Sequence, residues 1–398
     1  MKLTATICFI FYTLWIQAAD PLEEARKAFA RGDYSATISN ATNAIAKNRW
    51  QEDSHVLHIR ALMAQGKYTE AYTVTTNAME KLTSSVRIQL AAYDVFQFNN
   101  DPLSATNALS EINRLAGARS WAYRNAPDMV VLGRTALKLG ADPKEVLNKL
   151  YTPAREHDPE FTGIAYAIGE LALSKSDYEL AGRTFQKALK QKPKDAELHF
   201  GTARAFASSD AEMTAQHLQQ TLTINPNHTG AMLILADKLI DRENYTEAEE
   251  QLKKVLKINP HHPEAWAYRS LIAHLKSDKE TEKNARNRAL KYWKSNPKVD
   301  HLIGKKLSQK YRFAEGSSHQ KQALTFNSKY IPAKIQLAQD LLRLGLESEG
   351  WAMAEAAHQT DGYDVTTYNL VTLKDTLGKY TTLTNSNFIL RMEPHEAQ

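Results

Sequence analysis

The residues whose types and spacing could do chemistry are few, and each set falls short of a site. Zinc hydrolysis needs His-Glu-x-x-His on a helix, so that both imidazoles face one metal and the glutamate serves as base. His395-Glu396-Ala397-Gln398 supplies only the first four positions, directly after Pro394. His261 and His262 are adjacent between Pro260 and Pro263, with Glu264 following. Metal ligation needs further converging ligands, so this pair reads as a turn with solvated imidazoles. The chain has no Gly-x-Gly-x-x-Gly and no Walker loop, and Gly316-Ser317-Ser318-His319 lacks the glycine spacing of a nucleophile elbow. The expectation is a chain with no catalytic, cofactor-binding or metal residue.

Charge offers one further candidate. Between Lys276 and Arg312 lie twelve Lys and Arg against four carboxylates, with Tyr292, Trp293 and Tyr311 interleaved. Basic residues alternating with aromatics can mark a surface for nucleic acid or an acidic partner. The whole chain carries a net charge of only +5 over 398 residues, which calls for neither. The run reads as the solvated face of helices with its aromatics packed inward, and no nucleic acid is expected.

The elements that would position such residues repeat. Thr223-Ile224-Asn225-Pro226-Asn227-His228 recurs as Lys257-Ile258-Asn259-Pro260-His261-His262, the prolines 34 apart. Pro193 lies 33 before Pro226, and Gly32-Asp33-Tyr34 recurs as Gly66-Lys67-Tyr68. A fixed period of this length signals stacked supersecondary units. Ala181 and Ala188 lie seven apart on one helical face with Phe185 between them, so small residues admit a second helix while the ring fills the groove. The prolines cannot continue a helix and close each unit. From Val86 to Pro159 the spacing is uneven, and Asn99-Asn100-Asp101-Pro102 and Asn125-Ala126-Pro127-Asp128 read as loops. Dividing length by period gives about ten hairpins. Each unit is expected to pack only on its neighbours.

The N-terminus has another character. Lys2 precedes a largely apolar run from Leu3 to Ile16, and Ala18-Ala19 precede Asp20. This is the layout of a secretory signal peptide, too short to span a bilayer. The only cysteine, Cys8, sits mid-run. A mature chain cut near Ala19 would hold no disulfide, no thiolate and no transmembrane segment. The expected division is a signal peptide over 1–19, a helical array over 20–377 and a tail over 378–398. The expected location is the periplasm or cell envelope of a bacterium.

On these residues the chain resembles the tetratricopeptide repeat family. Ile168-Gly169, Tyr178, Ala181, Phe185, Ala188 and Pro193 match its pattern in one unit, and Leu235-Ala236, Tyr245, Ala248 and Pro260 in another. Leu132-Gly133 with Gly140, and Gly345 with Ala357, mark two more. The resemblance implies an all-α, right-handed solenoid of helical hairpins that binds a protein or peptide. It also implies a concave groove, whose positions carry over to Tyr166, Glu170, Leu233, Asp237, Ala267, Leu271 and His274. The Lys and Asn with which some members hold a terminal carboxylate are not at these positions. These repeat residues are expected in the core.

The tail reads as a strand, Phe388-Ile389-Leu390-Arg391-Met392, with no partner. Asp361, Tyr368-Asn369-Leu370 and Phe388 to Met392 resemble the run-in to zinc metallopeptidase domains of the peptidase MA type, whose catalytic part is not in this sequence. The function expected is an exported scaffold for protein or peptide binding, without catalysis. The alternative is the targeting half of a repeat-linked metallopeptidase, its tail the first strand of a missing domain.

Overall fold

The computed structural model describes residues 20–397. The signal-peptide reading, with Cys8, lies outside the described residues. Ten helical hairpins follow one another from Pro21 to Thr360, and a single helix, Val365–Leu377, closes the array. The first hairpin pairs Pro21–Ala30 with Tyr34–Lys47, the fifth pairs Thr162–Ser174 with Tyr178–Gln191, and the tenth pairs Ile331–Arg343 with Glu347–Thr360.

One local device builds most hairpin tips. A residue in the left-handed region ends the first arm at Gly32, Gly66, Asn100, Gly140, Ser176, Glu243, Ser277, Tyr311 and Gly345, with φ between 55° and 90°. In several, the next residue caps the second arm. Asp33 accepts from Ala36 N, Asp101 from Ser104 N, Asp177 from Leu180 N and Asp278 from Thr281 N, each at 3.0 Å. Such a cap satisfies one of the amide donors left open at a helix start.

The uneven stretch keeps the hairpin plan. Asn125-Ala126-Pro127-Asp128, expected as a loop, is a helix start: Asn125 accepts from Asp128 N and Pro127 fills the first turn. Proline is tolerated there because that amide has no helical partner. The second arm of this fourth hairpin runs from Pro143 to His157 through a wide π turn at Leu147–Tyr151.

Where arms meet, within a hairpin or between neighbouring ones, a small residue of one arm can face a large one of the other. A β-carbon on Gly169 would fall well inside contact with the Phe185 ring, and one on Gly201 would lie 2.6 Å from it. Gly133 bears the same relation to Tyr151. Phe185 and Tyr151 are fully buried.

The expectation that each unit touches only its neighbours is corrected by the structure. The array coils into a superhelix whose successive turns meet. Asn227 Nδ2 donates to Gly32 O at 3.1 Å across 195 residues, and Asn259 Nδ2 to Tyr68 Oη at 3.0 Å across 191. Further on, Lys294 N donates to Asn100 Oδ1 at 2.7 Å, and Ser176 Oγ to Asp364 Oδ2 at 3.1 Å. Lys175 pairs with Asp361. The tips of hairpins one, two, three and five thus rest on the loops that leave hairpins six, seven, eight and ten. Tyr68 stacks on Phe98 with centroids 4.6 Å apart and meets Tyr292 edge-on at 5.0 Å, and Phe98 meets Trp293 at 5.6 Å.

The tail strand, expected to be unpaired, has a partner. Ile389–Met392 pairs antiparallel with Thr381–Thr384, Leu383 opposite Leu390. The intervening turn is held by Asn385 Oδ1, which accepts from Asn387 N and Phe388 N at 2.8 Å. The Thr-rich segment Thr381–Thr384 supplies the missing strand. Arg391 ties the hairpin to Glu347 on the tenth unit.

Candidate functional site

The superhelix encloses an open axial channel of about 2470 Å³, lined by the first arms of hairpins one to six and closed on one side by residues of the tenth. One register position recurs along its wall, six residues before the left-handed residue of each tip: Arg26, Arg60, Asp94, Arg134 and Glu170. Because the first arms share one phase, this position faces the axis in each of the first five units. Phe29, Leu57, Leu90 and Phe200 add apolar surface between the charges.

The charges differ in how they are held. Arg26 pairs with Asp53, and Arg204 with Glu170. Arg87 is clamped by Asp128 at 2.6 Å and Asp53 at 2.9 Å. Glu197 lies 3.4 Å from His228. Burial pushes its carboxyl up, but the His228 hydrogen bond and nearby Arg60 and Arg204 outweigh that and hold it below the usual range. Among the described residues, Arg60, Asp94, Arg134 and Lys138 have no ion-pair partner. The Arg60 guanidinium rests on the Phe29 ring at 4.7 Å and Lys138 Nζ on Tyr93 at 4.4 Å.

Of the groove positions carried over from sequence, Tyr166 and Glu170 line this channel, and the Tyr166 hydroxyl donates to Asp195 at 2.8 Å. The others do not. Leu233, Ala267 and Leu271 are core residues, because in the second turn of the superhelix the first arms pack against the following units. Asp237 accepts from the Tyr268 hydroxyl at 2.8 Å and from Lys306 Nζ at 2.9 Å. His274 is held between Glu282, at 2.9 Å, and Glu315.

Of the residues named for the repeat core, Gly169, Ala181, Phe185, Ala188 and Ala248 are buried and Tyr245 is partly so. Tyr178 is 47% exposed, and Pro193 and Pro260 are exposed. Tyr178 is the first residue of its helix, just past the cap, where a side chain overhangs the tip rather than the groove. The prolines lie in the loops between hairpins.

The basic run is only partly neutralised on folding, and its Tyr311 stays exposed rather than packing inward. Lys306 is buried against Asp237 and Asp241, Arg286 pairs with Asp300 at 2.6 Å, and Lys310 meets Glu243 at 3.3 Å. Arg288 and Arg269 lie over Trp266 at 4.6 and 4.8 Å. Among the described residues no group of three or more His, Cys, Asp or Glu is placed to hold a metal ion, and no helix is long and apolar enough to cross a membrane. His261 packs on the Tyr292 ring at 4.7 Å, part of the contact between turns. The recurrence of Arg26, Arg60 and Arg134 along the channel went unread in the sequence. The offset of six residues before Gly32, Gly66 and Gly140 was the signal that could have found it.

Two tetratricopeptide repeat family models match the chain, one over residues 166–212 and one over residues 205–274. No curated protein matches it. Among solved structures it is similar to that of yeast Tom70, at 12% identity over 89% of this chain and 94% of that one, with a TM-score of 0.41. It is also similar to a tetratricopeptide repeat protein from Parabacteroides merdae, at 14% identity over 68% and 97%, TM-score 0.40. A third is the APC/C hetero-tetramer Cut9-Hcn1, at 12% identity over 89% of each chain, TM-score 0.38. Likenesses this distant carry no argument about function. The matched stretch runs from the fifth hairpin to the first arm of the eighth, and over these residues the chain carries tetratricopeptide repeats.

Proposed function

We propose that this chain is an exported scaffold that receives an extended polypeptide segment of a partner protein in its axial channel and performs no catalysis itself. Tetratricopeptide repeats support a protein–protein interaction scaffold. The observation that carries the finer reading is the channel: about 2470 Å³, with apolar and charged side chains alternating along six consecutive hairpins. Such a lining suits a polypeptide, whose backbone needs polar partners and whose side chains need both kinds of surface. Export rests on the composition of residues 1–19, and the envelope of a bacterium is the compartment we infer from it.

The test is selection of peptides from a random display library on the purified chain. Selected peptides should lose binding when Phe29 and Phe200 of the channel are changed to Asp. They should keep it when Trp50 and Trp121, exposed elsewhere, are changed to Ala. Equal loss in both pairs, or loss only in the second, would place binding outside the channel.

A further inference from the structure

The channel wall is not electrically uniform. Around Asp94, in the third hairpin, stand Arg60 of the second, Arg134 and Lys138 of the fourth and Lys298 of the ninth, all close enough to act on its charge. Glu197 also acts on Arg60, but it is already engaged by His228. Four cations therefore face two carboxylates, and among the described residues none of the four has a carboxylate in ion-pair contact. Arg60, Arg134 and Lys138 are exposed, yet they open into the channel rather than to the outside. Two of them lie over aromatic rings, which fixes one face and leaves the other to the lumen.

We propose that the channel section bounded by Arg60, Arg134 and Lys138 is a subsite for carboxylate side chains, so that the partner is an acidic, extended polypeptide segment. This rests on the channel-binding reading above and narrows its ligand. Although these groups reach water in the lumen, enclosure by the channel wall is the largest influence on all three: it pushes the Asp94 carboxyl up and the Arg60 and Lys138 cations down from their ordinary values. An added carboxylate would offset that cost for the cations. A phosphate polymer fits less well. It carries a charge at every nucleotide, whereas a peptide can set carboxylates at this section alone and uncharged residues past Asp53, Glu170 and Asp195. The neighbouring Val56, Leu57, Leu90 and Leu137 give it nothing to bury, whereas a peptide can set aliphatic side chains against them.

The experiment uses the whole chain and three labelled peptides of equal length, built from Ala-Glu-Leu, Ala-Gln-Leu or Ala-Lys-Leu triplets. Binding is followed by fluorescence anisotropy, beside a labelled single-stranded oligonucleotide. The glutamate peptide should bind roughly tenfold or more tighter than the glutamine peptide, the size of a charge-assisted hydrogen bond. That preference should shrink between about 0.1 M and about 1 M salt, as the Debye length falls from about 10 Å to about 3 Å. It should vanish in R60Q/R134Q, with the glutamine peptide unaffected. Equal binding of the glutamate and glutamine peptides would overturn the subsite and leave the channel reading standing. Binding of none of the three would overturn both. Tighter binding of the oligonucleotide would replace the peptide with nucleic acid. Should R60Q/R134Q fail to fold, the peptide ranking and its salt dependence on the unaltered chain decide the matter.

Discussion

Asn259 donates from Nδ2 to the Tyr68 hydroxyl at 3.0 Å, although 191 residues separate them, and its Oδ1 sits where a β-carbon on Gly66 would have to go. One asparagine side chain thus joins two turns of the superhelix and restricts a tip residue to glycine. Gly32 and Asn225 repeat the arrangement one hairpin earlier.

That relationship separates two costs of replacing glycine. Gly345 has a left-handed φ of 76° but nothing within 4 Å of an added β-carbon. Gly345→Ala should therefore cost only backbone strain, about 1 kcal/mol. Gly66→Ala carries the same strain and also pushes Asn259 away. It should be the more destabilising by thermal unfolding, and it should raise hydrogen exchange in the loop after Ile258. Indistinguishable variants would mean that the contact between turns contributes nothing.

Packing within the fifth hairpin should be far more sensitive than its tip. Phe185 is fully buried, so Phe185→Ala should cost about 3–5 kcal/mol. Gly169→Ala overpacks the same ring and should cost about 1–3 kcal/mol. Exposed Tyr178→Ala should stay within about 0.5 kcal/mol. Denaturant unfolding of the three variants gives the order, and a large effect at Tyr178 would refute the assigned burial.

Lys306 illustrates a charge taken out of water. Its side chain is 4% exposed, between Asp237 at 2.9 Å and Asp241 at 2.5 Å. Removing one partner of a fully buried pair costs about 3–5 kcal/mol. Both carboxylates here keep some water, so Lys306→Met should cost less, about 1–3 kcal/mol. Lys283→Met, at an exposed site of the same basic run, should be near neutral. Equal effects in calorimetry would count against the buried pair.

Stability should also fall on mild acidification. Burial pushes the His301 imidazole down to about 4, and His262 is pushed the same way. An unfolded histidine titrates near 6.5, so between about pH 6.5 and about pH 4 the unfolded chain binds the proton and the folded chain does not. The contribution of neutral His301 is complete above that window and declines through it, by on the order of 3 kcal/mol at its lower end. Asp94 and Asp340, whose carboxyls burial pushes up, act in the opposite sense. The clean measurement is therefore the difference between the chain and His301→Gln, which should vary with pH in that window and be flat above it.

The repeat was legible because helical hairpins are local objects. Gly32, Gly66 and Gly140 mark the tips, Asp33 and Asp177 cap the second arms, and Ala181, Phe185 and Ala188 fill the interface they frame. All of these act within one 34-residue unit, so period and residue type suffice to read them. The tail strand was legible as a strand, but its partner was not. Pairing Ile389–Met392 with Thr381–Thr384 depends on a turn made by Asn385, whose signal resembles that of any polar loop.

What the sequence by itself determined, then, is an all-helical array, its unit and the residues packed inside each unit. The tertiary structure decided which face is a site. Every first arm carries the same register positions, yet Glu170 lines an open channel while Leu233 and Leu271 are sealed in the core. The difference arises from how small rotations between neighbouring hairpins accumulate over a full superhelical turn. That sum brings Asn259 to Tyr68, Lys298 toward Asp94, and Arg60, Arg134 and Lys138 around one lumen. No period of 34 residues encodes it, because each step is set by packing between two units and its consequence appears only some 190 residues later.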